Sequence, residues 1–304
     1  MFRVRKQLGC HDRLVSTCGN EGVTVAVLDT GIGNHPDFEN RVIAFRDFLN
    51  GQNTKYDDSG HGTHVAGCIA GNGAASNGKY KGMAPLSRLV VGKVLNHKGD
   101  GNIEEMIDGI HWVLENKSRY DIRVLNISIG MSEGTDKDRM ERLLRAVDEA
   151  WMDGLVVVCA AGNMGPELMS LSPIGTLKRV ITVGCNEGGY FGNREYLCEN
   201  YSGRGPSPHA VKKPDVVAPG TDIVSCNLYI ERKGNKYRNG YIAKSGTSMA
   251  TPIVTGGVAL LLQKYPYFNN EQAKKKLQYS ATDLKQPWSK QGYGMMNVER
   301  MLGL

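Results

Sequence analysis

Residues 23–28 read VTVAVL, a run bounded by Gly22 and Asp29 whose side chains suit a strand covered on both faces. Four more runs of the same kind follow: RLVVGKVL at 88–95, VLNISI at 124–129, LVVVCAA at 155–161 and VITVGC at 180–185. Apolar runs that do not alternate with polar residues belong to a buried parallel sheet. Helical spacing fills the intervals. Ile103, Met106, Ile107, Ile110, Val113 and Leu114 share one stripe, and Met140, Leu143, Leu144, Val147 and Trp151 share another. Strand alternating with helix predicts an α/β fold, a three-layer sandwich around a mostly parallel, doubly wound sheet. Ligands of such sheets bind at the carboxyl ends of the strands.

The 304 residues include 38 glycines, well above the usual share, which predicts many tight turns and close backbone approaches. The formal net charge of +6 comes from dispersed Lys and Arg. The short run Lys274, Lys275, Lys276 predicts a solvated helix face, so nucleic acid is not an expected partner. No apolar run approaches the ~18 residues of a membrane span. The opening MFRVRKQLGCHDRLVS also lacks the apolar core of a signal peptide, so no membrane association or export is expected. Seven cysteines are an odd number, and Cys159 and Cys185 lie in apolar runs where free thiols pack as small hydrophobes. A reducing, cytoplasmic setting follows as the expectation. No linker or repeat divides the chain, so one domain is expected. The tyrosine-rich stretches 187–200 and 227–242 read as surface hairpins or excursions.

Four polar positions stand at strand ends or helix starts. Asp29 ends the first run and is either a reactive carboxylate or a turn aspartate. The Gly31-Ile32-Gly33 that follows does not make a dinucleotide turn, because Pro36 and Asp37 fall where the helix must open. His61 and His64 lie three apart in DSGHGTHVAG (58–67). As a metal pair they lack the glutamate of an HExxH helix and an obvious third ligand. The stronger reading has His61 acting, flanked by Gly60 and Gly62, with His64 as structural support. Asn163 emerges on a glycine turn after VVVCAAG, where an amide either donates into a cleft or closes a turn. Ser248, in KSGTSMATPIVTGGVALLL (244–262), sits at or beside a helix N-terminus. It is either an N-cap or a hydroxyl whose developing negative charge the helix favours.

Each signal is ambiguous alone, yet together they resemble the subtilisin-like serine peptidases, the subtilases. The resemblance rests on VLDTGI around Asp29, HGTHVAG around His61, AAGN ending in Asn163 and GTSMATP around Ser248. It extends through HPDF (35–38), YSGRGP (201–206) and KPDVVAPG (213–220) and covers roughly residues 20–300. The order Asp, His, Ser differs from that of α/β-hydrolases, whose G-x-S-x-G is missing here. The resemblance implies a serine endopeptidase of broad specificity with Ser248 as nucleophile, His61 as base, Asp29 as its orienting carboxylate and Asn163 in the oxyanion hole. Polypeptide substrates would lie extended between Gly99, Asp100, Gly101 on one side and Ser128, Ile129, Gly130 on the other. Ile103 would lid a distal apolar subsite, and Met131 stands near the primary pocket where relatives often keep glycine.

The same resemblance divides the chain into an N-terminal extension, residues 1–22, and a catalytic domain, residues 23–304. Secreted subtilases carry a long folding prosegment, so either that segment is missing from this chain or the chain resembles the intracellular bacterial subtilisins, and the second is expected because no export signal is visible. Residues 1–8 would lie across the cleft as a mild self-inhibitor. No cofactor is expected for the chemistry, but a structural calcium is implied at Asp37, which aligns with a ligand in many relatives. Two rival readings remain at this level. A subtilase-fold protein that captures peptides without cutting them usually lacks a triad member, and this chain has all three. A metallohydrolase would depend on His64 and be indifferent to Ser248. Oligomeric state leaves no mark on the sequence.

Overall fold

The computed structural model describes residues 1–129, 136–206, 211–234 and 236–303. Seven strands form the central sheet: β1 (Thr24–Asp29), β2 (Val42–Asp47), β3 (Arg88–Lys93), β4 (Ile122–Ile127), β5 (Val156–Ala160), β6 (Ile181–Cys185) and β7 (Val216–Ala218). Their order is β2-β3-β1-β4-β5-β6-β7, and every neighbouring pair is parallel. The five apolar runs of the sequence are β1, β3, β4, β5 and β6. Both edge strands escaped that reading for physical reasons: β2 is only half-buried, and β7 has three residues. From β1 the chain crosses to the β2 edge, returns through β3 and then passes β1 to add β4 to β7 on the other side, so the strand order reverses beside Asp29. Crevices form at such points.

Helices cover both faces of the sheet. The His61–Ala70 and Thr247–Lys264 helices pack against each other, as do the Ile103–Glu115 and Lys137–Met152 helices. Asn102 caps the third of these with a reciprocal capping box through Glu105. The Thr247–Lys264 helix is buried along most of its length and lies under β4 to β7. Its Pro252 has no N–H to offer the carbonyl of Ser248, so that carbonyl is left outside the helical ladder. Beyond the sheet, β8 (Ile223–Cys226) pairs antiparallel with β11 (Tyr241–Lys244). Between them stands the hairpin of β9 (Glu231–Lys233) and β10 (Lys236–Arg238), as expected for the 227–242 stretch.

Three expectations need correction. Cys185 is not a free thiol, because it pairs with Cys198 at an S–S distance of 2.02 Å; the other five cysteines are free and buried. Lys274 is not solvated. Its Nζ donates to the carbonyls of Lys178, Arg179 and Val180 and lies 3.1 Å from Asp215 Oδ1, a carbonyl cage that no local pattern announces. Residues 1–8 do not cross the cleft. The Phe2–Gln7 helix sinks Val4 into the same core as β1, with Met1 and Leu8 beside it. Arg3 bridges to buried Glu187 at 3.0 Å, and Arg5 to Asp12 at 2.8 Å. Among the described residues, none of these contacts reaches Asp29, His61, Asn163 or Ser248.

Candidate active site

Asp29 is fully buried at the carboxyl end of β1. One of its oxygens, Oδ1, accepts from the Thr30 N–H at 2.8 Å and from His61 Nδ1 at 2.7 Å. A carboxylate only accepts, so Nδ1 carries the proton and Nε2 is left with a free lone pair. Oδ2 has no partner among the described residues. His61 opens its helix and is 24 % exposed in its side chain. Burial works to lower its pKa, but the charge and hydrogen bond of Asp29 prevail and raise it above the ordinary imidazole value. Gly62 makes the approach sterically feasible: a Cβ there would meet Gly31 O at 2.2 Å and Asp29 Cβ at 3.2 Å.

Asp57 braces the same helix start, which the sequence reading missed. Its carboxylate accepts from the N–H groups of Ser59, Gly60 and Thr63 and from the hydroxyls of Thr30 and Thr63, at 2.6 to 3.0 Å. Burial alone would raise the Asp57 pKa, but these bonds hold it below the usual carboxylate value. An anion at a helix N-terminus was the available signal. His64 is fully buried, and its Nε2 lies 2.8 Å from Ile223 O; burial pushes its pKa down to about 3. Among the described residues no metal-type cluster contains His61 or His64.

Ser248 is the second residue of the Thr247–Lys264 helix and is half-buried. Gly246, at φ 144°, turns the chain from β11 into that helix. Asn163 Oδ1 accepts from the Thr247 N–H at 3.1 Å and from the Thr247 hydroxyl at 3.0 Å. Because a backbone N–H can only donate, the amide oxygen must face Thr247, and Nδ2 is turned elsewhere, a donor with no acceptor among the described residues. Among the described residues Ser248 Oγ makes no hydrogen bond. A hydroxyl at a helix start beside a free amide donor, on a helix packed against that of His61, is an arrangement suited to acyl transfer.

Ser128 and Ile129 follow β4 directly and are buried. Gly130 and Met131 lie outside the described residues. Asp100 engages both its backbone groups with Asn96, its N–H on Asn96 Oδ1 at 3.2 Å and its carbonyl on the Asn96 N–H at 2.8 Å. It therefore does not present a free edge to a substrate, whereas Gly99 and Gly101 on either side leave their carbonyls unbonded among the described residues. Ile103 is 5 % exposed and packs into the core, which does not fit a lid over a subsite.

Asp37 does not fit a calcium ligand either. Its two oxygens accept from the N–H groups of Gly73 (3.1 Å) and Ala75 (3.0 Å) and from the Tyr241 hydroxyl, which lies 2.9 Å from each. The Cys226 thiol points at Oδ2 from 3.6 Å. Hydrogen-bond donors fill the directions a cation would need, and a cation repels donors. His35 and Cys226 complete a buried group with Asp37, but His35 Nδ1 already accepts from the Asp37 N–H and its Nε2 lies 2.8 Å from Gly240 O.

The model of the subtilase family matches residues 20–295. Serine protease AprX of Bacillus subtilis (strain 168) is 40% identical over 298 residues, covering 93% of this chain and 66% of that protein. A subtilisin of Bacillus sp. (strain TA39) is 34% identical over 280 residues, covering 88% of this chain and 63% of that protein. The chain thus spans just under two thirds of these two relatives. Among solved structures, S41 psychrophilic protease superposes with a TM-score of 0.76 at 30% identity, and sphericase with 0.75 at 29%. Each match covers 92% of both chains. With the sheet, the Asp29–His61 contact and the family match all in agreement, the chain belongs to the subtilase family.

Proposed function

We propose that the chain is a serine endopeptidase that hydrolyses polypeptides through an acyl-enzyme. The observation that carries this reading is the 2.7 Å contact between Asp29 Oδ1 and His61 Nδ1, with Ser248 at the start of the helix packed beside that of His61. Asp29 holds His61 in the tautomer whose Nε2 can accept. Ser248 Oγ attacks the scissile carbonyl as Nε2 takes its proton, and the imidazolium then protonates the leaving amine. Water repeats the sequence to release the acyl group. Negative charge on the tetrahedral oxygen meets the Asn163 amide and the Ser248 N–H, aided by the helix N-terminus.

The two arms of the triad are unequally assembled, since Ser248 Oγ and His61 Nε2 are not hydrogen-bonded. Such contacts often tighten only when substrate binds. Extended substrates would pair along Gly99 and Gly101 on one side and Ser128 to Gly130 on the other, a recognition of main chain that tolerates many sequences. A fluorophosphonate that acylates only activated serines tests the reading. Label is expected on Ser248, located by peptide mass spectrometry, and none in Ser248→Ala. An unlabelled Ser248 in folded protein would sink it.

A further inference from the structure

The segment between β8 and β11 is unusually cationic. Residues 227–244 carry Arg232, Lys233, Lys236, Arg238 and Lys244 against the single acid Glu231. Glu231 stands opposite Arg238 in the hairpin register, and among the described residues no ion pair joins any of the five cations to an acid. The four hairpin cations are exposed. Among the described residues their only side-chain bond is that of Arg232 Nε to the neighbouring Gly234 carbonyl. Concentrated like charge without counter-charge costs stability through self-repulsion, and it serves to attract an anionic partner.

The position of the hairpin says which partner. Its root rests on the start of the His61 helix: a Cβ at Gly60 would lie 3.2 Å from Leu228 Cβ, and one at Gly33 would lie 2.6 Å from Leu228 Cδ1. The hairpin is closed by the Asn227 N–H on Gly240 O at 2.9 Å, and Gly240 O also lies 2.8 Å from His35 Nε2. It is therefore fixed beside His61. Lys244 ends β11 four residues before Ser248, is half-buried, and its charge acts on His61 against that of Asp29. His61 is the group that hands its proton to the leaving amine, so chain beyond the scissile bond departs past His61. The segments expected to hold the acyl side follow β3 and β4 instead.

Building on the peptidase reading above, we infer that the 227–244 hairpin and Lys244 select substrates with acidic residues in the first few positions after the scissile bond. The broad main-chain recognition of the acyl side would then be combined with a charge filter on the leaving side.

The experiment compares quenched fluorescent peptides that share one acyl-side sequence, with the bond cut verified by mass spectrometry. They differ only in carrying Glu, Gln or Lys at three positions after that bond. The full chain is expected to favour the Glu peptide over the Gln peptide in kcat/KM on the order of tenfold at low salt, with the gain shrinking as ionic strength rises. The Lys peptide should be the poorest. Replacing Arg232, Lys233, Lys236 and Arg238 with Gln together should reduce the Glu-to-Gln ratio, and adding Lys244→Gln should bring it close to one. Equal cleavage of all three peptides would overturn the inference while leaving the peptidase reading intact. So would a preference that survives all five substitutions, or an equal gain when Glu is moved to the acyl side. If no peptide is cut and Ser248 takes no fluorophosphonate, the peptidase reading fails and this inference with it.

Discussion

Thr247 holds the side-chain oxygen of Asn163 twice, through its backbone N–H at 3.1 Å and its hydroxyl at 3.0 Å. The residue beside the proposed nucleophile therefore aims the proposed oxyanion donor, which couples the two halves of the site through one amide. Asn163→Ala is expected to lower kcat ~10²- to 10³-fold with little change in KM, the magnitude measured in subtilisin, a member of this same family. Thr247→Val keeps the N–H and loses the hydroxyl, so a smaller loss confined to kcat is expected. Steady-state kinetics on one peptide decides both, and an unaltered kcat in Asn163→Ala would remove Asn163 from the mechanism.

The charge of Asp29 raises the pKa of His61. Attack needs the neutral imidazole, so kcat/KM should fall as pH drops through that pKa, with the acid limb lying above the usual imidazole value of about 6.5. Asp29→Asn removes the main raising charge and leaves burial and the Lys244 charge, which both lower the pKa, against only the weaker pull of Asp57. Its acid limb should shift to lower pH, and kcat should drop by ~10⁴, the loss known for such a change in another serine protease fold. A pH profile of kcat/KM for both proteins checks this. An identical acid limb in the two would contradict the assignment.

His64 titrates near 3 when folded, against an ordinary value near 6.5. Between those values the unfolded chain binds the extra proton, so stability falls as pH drops through that window, by up to ~1.4 kcal/mol per pH unit from this one group. Above the window the group contributes no slope. Urea midpoints at a series of pH values should therefore decline more steeply in the wild type than in His64→Gln. Parallel curves would mean that His64 is not held neutral.

The strands were legible in the sequence because a sheet covered on both faces leaves its strands nothing to alternate with; β1 is buried at all six positions. The motifs at their ends were legible because Asp29, His61, Asn163 and Ser248 each carry short-range glycine and helix-start signals. What was not legible depends on partners brought from afar. Lys274 looked like a surface lysine because the carbonyls that bury it belong to residues 178–180. Cys198 sits in a polar stretch that gives no sign of facing the strand residue Cys185. Asp37 matched a calcium ligand locally, and the phenol that answers it is Tyr241, 204 positions along the chain.

Because donors surround Asp37, calcium should find no site at this carboxylate. Melting temperatures with a chelator and with added calcium are expected to coincide, and a rise with calcium would restore the cation-binding reading. Tyr241→Phe deletes the phenolic donor and leaves the buried carboxylate short of a partner, which should cost about 1–3 kcal/mol of stability. No calcium sensitivity should disappear with that substitution, since none is expected to begin with.

The N-terminal segment behaves as structure rather than as an inhibitor. Met1, Val4 and Leu8 are each no more than 2 % exposed, and the Leu8 carbonyl accepts from the Val298 N–H at 2.9 Å. Arg3 also supplies the cation to Glu187, whose other oxygen holds the Gly220 and Thr221 N–H groups at 2.8 and 2.7 Å. Deleting residues 1–8 removes three buried apolar side chains at roughly 1.5–3 kcal/mol each, an upper bound because the unfolded chain is itself partly compact. It also strands the Glu187 charge. The truncated chain is therefore expected to melt well below the full one and to gain no activity per folded molecule, as counted by fluorophosphonate titration. A stable truncated protein with a higher kcat/KM would instead mean that the segment leaves its docked position and reaches the cleft.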